Sequence, residues 1–431
     1  MQSAVKGTIS LLVASAATLI ITNNFSNDRH VLAATDTVPR DAQTMALIGR
    51  RTFRFDTFGD QAFWGDKLKL HLALEGAKFG GVGPGLSPAN ALALGIKVDS
   101  QALPPTLLSQ LTSGQVNLND PAVTLTLLKM QAVIGLTGFF NGNGSLSSIG
   151  IQCALCHSTA DNSMLSLCPP SVQPNPGTGC VGQRLDGWPN RDLNVGAIVA
   201  LAPDLSPFAN VLGVDQTTVR KVLNSWGPGK FDAELILDGK AFRPDGKPAA
   251  SLIPPAFGLA GVNLHTWTGW GSIPYWNAFV ANLEMHGIGR FFDPRLNDPV
   301  QFPIAAKNGF ANVNPTLDPD SDQITKKLAA LHAYQIDIKS PKIPAGGFDP
   351  AAAARGDELF SAKANCNRCH LEPLWTEPGW NLHTPNEVSS IPSRLTGRRT
   401  IVTGLRHSAA CSRTKRAGSF MMAGSRTWEQ S

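Results

Sequence analysis

The sequence carries little charge for its length and shows no long-range periodicity. Of 431 residues, 16% are charged and 42% are apolar, a balance that excludes a disordered chain and provides for a buried core. No heptad run, sustained helical repeat or low-complexity tract occurs, which excludes a coiled coil and a repeat architecture. Beyond the N-terminal stretch, no apolar run is long enough to span a bilayer, which excludes a multi-pass membrane protein. The Gly-rich piece from Gly80 to Gly85 lacks a following Lys-Ser or Lys-Thr and a leading strand, so it reads as a loop and not as a phosphate cradle. Basic residues are concentrated after Arg394, where eight Lys or Arg face one acidic residue. The body of the chain is therefore slightly acidic, and the composition gives no basic surface for nucleic acid.

What is present is organised around cysteine. Two Cys-x-x-Cys-His motifs occur, Cys153-Ala154-Leu155-Cys156-His157 and Cys366-Asn367-Arg368-Cys369-His370. In such a motif the two thiols add across the vinyl groups of a haem, and the adjacent histidine ligates the iron from below the macrocycle. The pair implies two covalently bound c-type haems, with His157 and His370 as proximal ligands. Of the three other cysteines, Cys168 and Cys180 flank a Pro-rich insert, and a disulfide there would stabilise by about 3 kcal/mol through loop closure. Cys411 is left over.

The N-terminus reads as an export signal. Lys6 supplies the positive region, Gly7 to Thr22 is apolar or small, and Val31-Leu32-Ala33 stands where a cleavage site is expected. Residues 1–34 are thus a cleaved signal peptide or a retained N-terminal anchor. Either places the protein in the periplasm or outside the cell, where covalent haem attachment is completed.

The expected fold is mainly α, with two small, loop-rich, cytochrome c-like haem domains. Residues 42–140 form a helical N-terminal region or an insertion, with Pro104 to Gly138 as a mixed helical stretch. Residues 141–300 form the first haem domain, with turns at Pro203, Pro207 and Gly213 and an amphipathic helix from Tyr275 to His286 that stops at Gly287. Residues 301–347 are a linker around a short polar helix, Gln323 to Gln335, on which His332 is solvated. Residues 348–431 form the second haem domain. Ile48-Gly49-Arg50-Arg51-Thr52-Phe53 is similar to Arg355-Gly356-Asp357-Glu358-Leu359-Phe360, the helix preceding the second motif. The sixth iron ligand decides between a closed electron carrier and an open reaction centre. Met285 is the candidate for the first haem, with His265 and His286 as competitors and Met164 ranked lower. His383 is the candidate for the second.

The two motifs, with Pro254-Pro255-Ala256-Phe257-Gly258-Leu259-Ala260-Gly261 ahead of Tyr275 to Met285, resemble the bacterial di-haem cytochrome c peroxidase superfamily. The run from Trp375 to Thr384 resembles that family's F-x-N-x-G loop. The resemblance covers roughly 141–400 and implies the haem fold, with Met285 in the place of the family's haem-ligating methionine. The sequence departs from the family at His265-Thr266-Trp267-Thr268-Gly269, which stands where F-H-D-G is usual, and in the long insertion before Cys153. Two functions follow as expectations. One is single-electron transfer between a donor and an acceptor, with a small cytochrome, a cupredoxin or a membrane dehydrogenase as partner and membrane contact only through the N-terminal anchor. The other is a peroxidase-like oxidoreductase with one open haem, which needs an acid or base beside the iron. His265, His383 and Glu377 are the candidates for that role, and the sequence shows no carboxylate clearly placed for it.

The basic tail has no helical or strand period. Read in a shifted frame with ordinary synonymous codons, Ile401 onward gives R-Y-R-T-A-A-L-G-G-L-F-T-H-Q-K-G-G-F-F-H-D-G-R-F, whose F-H-D-G matches the family element. Sequencing the coding region is expected to find a frame change near residue 401; an unbroken frame would leave the tail as a basic, structureless extension.

Overall fold

The computed structural model describes residues 37–380, apart from 267–268 and 344–345. The export signal, His383, Cys411 and the basic tail lie outside the described residues. The chain divides into two units at Thr44 and Met45. In the first, residues 37–44 are exposed and contain the start of helix α1. The second holds the rest.

Helix accounts for 44% of the structure, and the strands are short and in small pairs, so the fold is mainly α. Helix α1 (Val38–Phe55) has Asp41 in its first turn and Arg54 in its last, complementing the helix dipole. A π-helical turn at Ala62–Lys67 leads to α2 (Leu70–Glu75) and α3 (Pro88–Ala93), then to strand β1 (Val98–Asp99), α4 (Pro105–Thr112) and α5 (Pro121–Lys129). Helices α3, α4 and α5 each carry proline in the first turn, where the missing N–H costs nothing. The side chains of Ser87 and Asp120 cap α3 and α5.

The stretch expected to be helical through Gly138 ends otherwise. Strand β2 (Leu136–Phe140) pairs antiparallel with β3 (Leu146–Ile151). Gly135 breaks the helical path at φ +85°, and Asn141 to Gly144 supply the turn. The hairpin runs directly into α6 (Cys153–His157), the first motif. A Cβ at Gly135 would overlap the backbone of Leu155, so only glycine lets the hairpin base approach the motif.

Strand β4 (Ser158–Asp161) follows and forms a three-stranded sheet with β5 (Thr178–Gly179) and β7 (Arg184–Asp186), while β6 (Val181–Gly182) pairs parallel with β1. The expected Cys168–Cys180 disulfide is present, with Cα atoms 5.2 Å apart. Helices α7 (Val195–Val199), α8 (Ser206–Leu212) and α9 (Gln216–Asn224) come next. Pro207, read from sequence as a turn, lies in the first turn of α8; Gly213 ends that helix in the left-handed conformation. Strand β8 (Lys230–Phe231), α10 (Leu235–Asp238) and β9 (Ser251–Leu252) lead to a loop, and then to α11 (Ile273–Phe279), which continues as a π-helical stretch over Val280–Glu284. Strand β10 (Phe291–Phe292), α12 (Pro303–Asn308), β11 (Asn312–Val313), α13 (Leu328–Asp337) and α14 (Pro350–Glu358) complete the described chain. Among the described residues, no helix is long and apolar enough to cross a membrane.

The core does not stop at residues 140 or 300, where the sequence suggested boundaries. One apolar cluster runs from Trp64 through the β2–β3 hairpin to Ile253. A second gathers Phe53, Phe58, Ile134, Ala154, Met285, Ile324 and Leu331 around the first motif. Residues expected in a linker therefore complete the packing of that motif. Helix α13 is mostly apolar and not polar as expected, and His332 on it is half-buried.

Helices α1 and α13 cross at Gly49. A Cβ there would overlap the Ala330 carbonyl and approach Tyr334 Cβ to 2.7 Å. One turn on, Phe53 is fully buried, edge-on to Tyr334 with ring centroids 5.6 Å apart. At the corresponding Gly356 in α14 a Cβ would meet nothing within 4 Å, and α14 buries no residue. Gly49→Ala is expected to lose about 1–3 kcal/mol to overpacking, whereas Gly356→Ala should gain about 0.5–1 kcal/mol of helix stability. Urea titration of the two variants checks both signs.

Candidate haem-attachment sites

Each motif is one helical turn, which sets its first and second cysteines three residues apart on the same face. In the first, α6 closes with Ser158 N–H donating to the Ala154 carbonyl. In the second, Cys366–Arg368 is a 3₁₀ turn, and His370 N–H donates to the Cys366 carbonyl at 2.9 Å. None of the four motif cysteines is in a disulfide.

Both histidines are oriented the same way. His157 Nδ1–H donates to the Pro254 carbonyl at 3.1 Å, and His370 Nδ1–H donates to the Trp375 carbonyl at 3.0 Å. A carbonyl can only accept, so Nδ1 carries a proton in both rings. A histidine that ligates a metal through Nε2 characteristically makes this bond with its other nitrogen, which fixes the ring plane.

The first motif lies deep and still retains accessible surface: Cys153, Cys156 and His157 are each half-buried. Burial pushes both thiols up to about 12 and the imidazole down to about 4. Among the described residues, no three His, Cys, Asp or Glu side chains converge as a protein-only metal site would need. One histidine beside two thiols fits a c-type haem, which would bring its own nitrogen ligands to the iron and need only the imidazole from the motif.

The loop from Ile253 to Gly271 serves both motifs. Pro254 accepts from His157, while Ala256 N–H donates to Gly187 at 2.8 Å, and Gly187 N–H donates to the His157 carbonyl at 2.8 Å. Further along, Asn263 N–H donates to Pro378 at 3.2 Å, close to the Trp375 turn that holds His370. Below the first motif, Asp186 accepts from Arg54 Nε at 2.5 Å, from Ser158 Oγ at 2.8 Å and from the Tyr334 hydroxyl. This ties β7, the residue after His157, and the α1–α13 crossing to one carboxylate.

The sixth-ligand candidates are dispersed. Met285 is 4% exposed in the apolar cluster with Phe53 and Ala154, against which Cys153 packs, and its carbonyl accepts from Trp64 Nε1 at 2.8 Å. His286 points elsewhere, stacked on Phe63 at 3.7 Å. His265 Nε2–H donates to the Val262 carbonyl at 2.9 Å, which directs the ring into its own turn. Met164 packs against the first apolar cluster, Glu377 is half-buried, and His383 is outside the described residues.

A residue that sequence reasoning passed over stands beside the motif. Glu284, next to Met285, is close enough to raise the Cys156 thiol electrostatically. Its Oε1 is buried without a hydrogen-bond partner, and desolvation, with Asp232 and Glu234 nearby, holds its carboxyl well above the usual range. Glu284 is thus a buried carboxyl close to the first motif that the sequence did not single out. The signal was available only as Glu-Met-His at the end of an apolar helix, where a carboxylate would ordinarily be solvated.

Comparison with protein-family models, curated proteins and solved structures finds no match.

Asp60 braces the entry to the first motif, accepting from Ile151 N–H at 3.2 Å while fully buried. Desolvation pushes it up to about 9, against the lowering effect of the Ile151 bond and with Asp56 raising it further. The folded state thus holds a proton that the unfolded state releases above about 4. The stability it contributes is complete below that pH and is lost as pH rises toward about 9. Asp60→Asn keeps the acceptor and cannot ionise; it is expected to remove up to about 1.4 kcal/mol per pH unit of that slope, read from urea midpoints at pH 5, 7 and 9.

Proposed function

We propose that the chain is an exported di-haem c-type cytochrome that carries out electron transfer through haems attached at Cys153, Cys156 and His157 and at Cys366, Cys369 and His370. The observation that carries this reading is the shared orientation of the two histidines, each following a Cys-x-x-Cys turn and each with Nδ1–H on a backbone carbonyl. Support comes also from the α1–α13 crossing packed over the first motif. A bound haem supplies an iron that cycles between ferric and ferrous states. The protein's part is to fix the imidazole, to exclude water with the cluster around Phe53 and Met285, and to set the local dielectric. Redox partners on this reading are small electron-carrier proteins or a membrane dehydrogenase, and the family is the di-haem cytochrome c peroxidase superfamily.

A second reading, a peroxidase-like enzyme, is favoured by Glu284 alone. Burial holds the Glu284 carboxyl well above the usual range, and a carboxyl raised in this way can serve as general acid to the oxygen leaving a cleaved O–O bond.

Expression with the c-haem maturation machinery is expected to give two haems per chain by pyridine haemochrome, falling to one in Cys156→Ser and to one in Cys369→Ser. Retention of both haems in either variant would overturn the attachment sites. If the first iron is open, Glu284→Gln should lower peroxide turnover by about 10²–10⁴-fold with haem content unchanged. Equal turnover in the two proteins, or none in either, leaves electron transfer as the function.

A further inference from the structure

Near the end of the π-helical extension of α11, Glu284 is close enough to Cys156 to act on it electrostatically, and His286, two residues on, lines a cleft of about 600 Å³. The cleft is not part of the candidate haem-attachment region, because none of the motif residues lines it. Its wall is built of flat rings. His286 lies on Phe63 with centroids 3.7 Å apart and planes 24° from parallel, and Phe208 stands edge-on to both at 5.5 and 5.9 Å. Lys67, exposed at the rim, is the nearest cation to the imidazole.

Three features mark His286 as more than packing. Its backbone is left-handed at φ +60°, a conformation that costs energy in a residue with a side chain. That conformation is held from both sides: Trp64 Nε1 donates to the Met285 carbonyl, and Gly287 N–H donates to the Ala281 carbonyl at 2.8 Å. Among the described residues, the imidazole makes ring contacts with Phe63, Trp64 and Phe208, and it is half-buried in the wall of the cleft. A half-buried imidazole among apolar rings, in the wall of a cleft of ligand size, gives the cleft a polar edge for a ligand to meet.

We infer that this cleft binds a hydroxylated planar aromatic molecule of the hydroquinone class, stacked in the Phe63–His286–Phe208 wall, with one oxygen on the imidazole and the other toward Lys67. The aromatic walls select a flat ring, the imidazole selects a hydroxyl or carbonyl, and the rim cation favours an oxygen with negative character. Binding stands on the cleft alone; its use as an electron source rests on the di-haem reading. Oxidation of a bound hydroquinone to the quinone releases two electrons and two protons. On the di-haem reading, the haems held at the two motifs would take up one electron each, and the protons would leave through the open mouth of the cleft.

The test is calorimetric titration of the haem-loaded protein with 1,4-naphthohydroquinone under anaerobic conditions, with trans-1,4-cyclohexanediol as the non-aromatic control. The wild type is expected to bind the aromatic ligand saturably and the diol not at all. His286→Asn, which tolerates the left-handed backbone, and Lys67→Ala, at an exposed position, should each weaken binding by about tenfold. Circular dichroism melts confirm that both variants are folded. Absence of saturable binding, equal binding of the diol, or binding indifferent to both substitutions overturns the assignment and leaves a cleft that holds only water. The same samples report haem reduction by absorbance. Binding without reduction keeps the site and overturns its role as electron source, and loss of haem from the wild type is a failure of the di-haem reading that leaves the calorimetric result intact.

Discussion

The bond from His157 Nδ1–H to the Pro254 carbonyl joins residues 97 positions apart, and much of the structure is arranged to make it. An imidazole in a one-turn helix can rotate freely about its side-chain torsions unless something outside the turn holds it. Here the holder is a backbone carbonyl on a loop stiffened by consecutive prolines. That loop is positioned by Gly187, which sits between the His157 carbonyl and Ala256. Gly187 is left-handed at φ +81°, and a Cβ there would press on Ile338 and Phe257. The bond thus depends on a glycine, on the end of α13 and on the insert between the two motifs.

The two motifs share this local geometry and differ in their surroundings. Around the first, a glycine-mediated helix crossing, a buried phenylalanine and a carboxylate that accepts from three elements form a closed shell. Around the second, Phe360 is buried against Trp375, but Gly356 is uncovered, and Leu359, Leu371 and Trp380 are 51%, 47% and 65% exposed. Since the sequence pattern of the two preceding helices is alike, the difference lies in what packs on them. The first receives α13; among the described residues, the second receives no counterpart.

Helix α11 and its extension distribute chemistry by angle alone. Successive residues Glu284, Met285 and His286 face the first motif, an apolar core and an aromatic cleft. The widened π-helical turn and the left-handed residue after it set these directions. A regular helix continuing to Gly287 would have turned the last of them elsewhere.

The sequence by itself determined the two Cys-x-x-Cys-His turns, because the motif is a local pattern whose spacing is satisfied by one helical turn. It also determined the Cys168–Cys180 bridge and the mainly helical character, both of which rest on short-range signals; the helix expected to run from Tyr275 to His286 instead closes at Glu284, with His286 left-handed. It misjudged Pro207 and the end of the stretch from Pro104 to Gly138, where a glycine and an Asn-Gly turn convert an apolar run into a hairpin. Tertiary structure alone decided which residues stand beside the first motif. The burial of Glu284 and Asp60, the inclusion of Ile324 and Leu331 in the motif's core, and the carbonyl partner of His157 depend on segments distant in sequence. Desolvation and hydrogen bonding are properties of the neighbours a residue acquires on folding, and no local pattern records them.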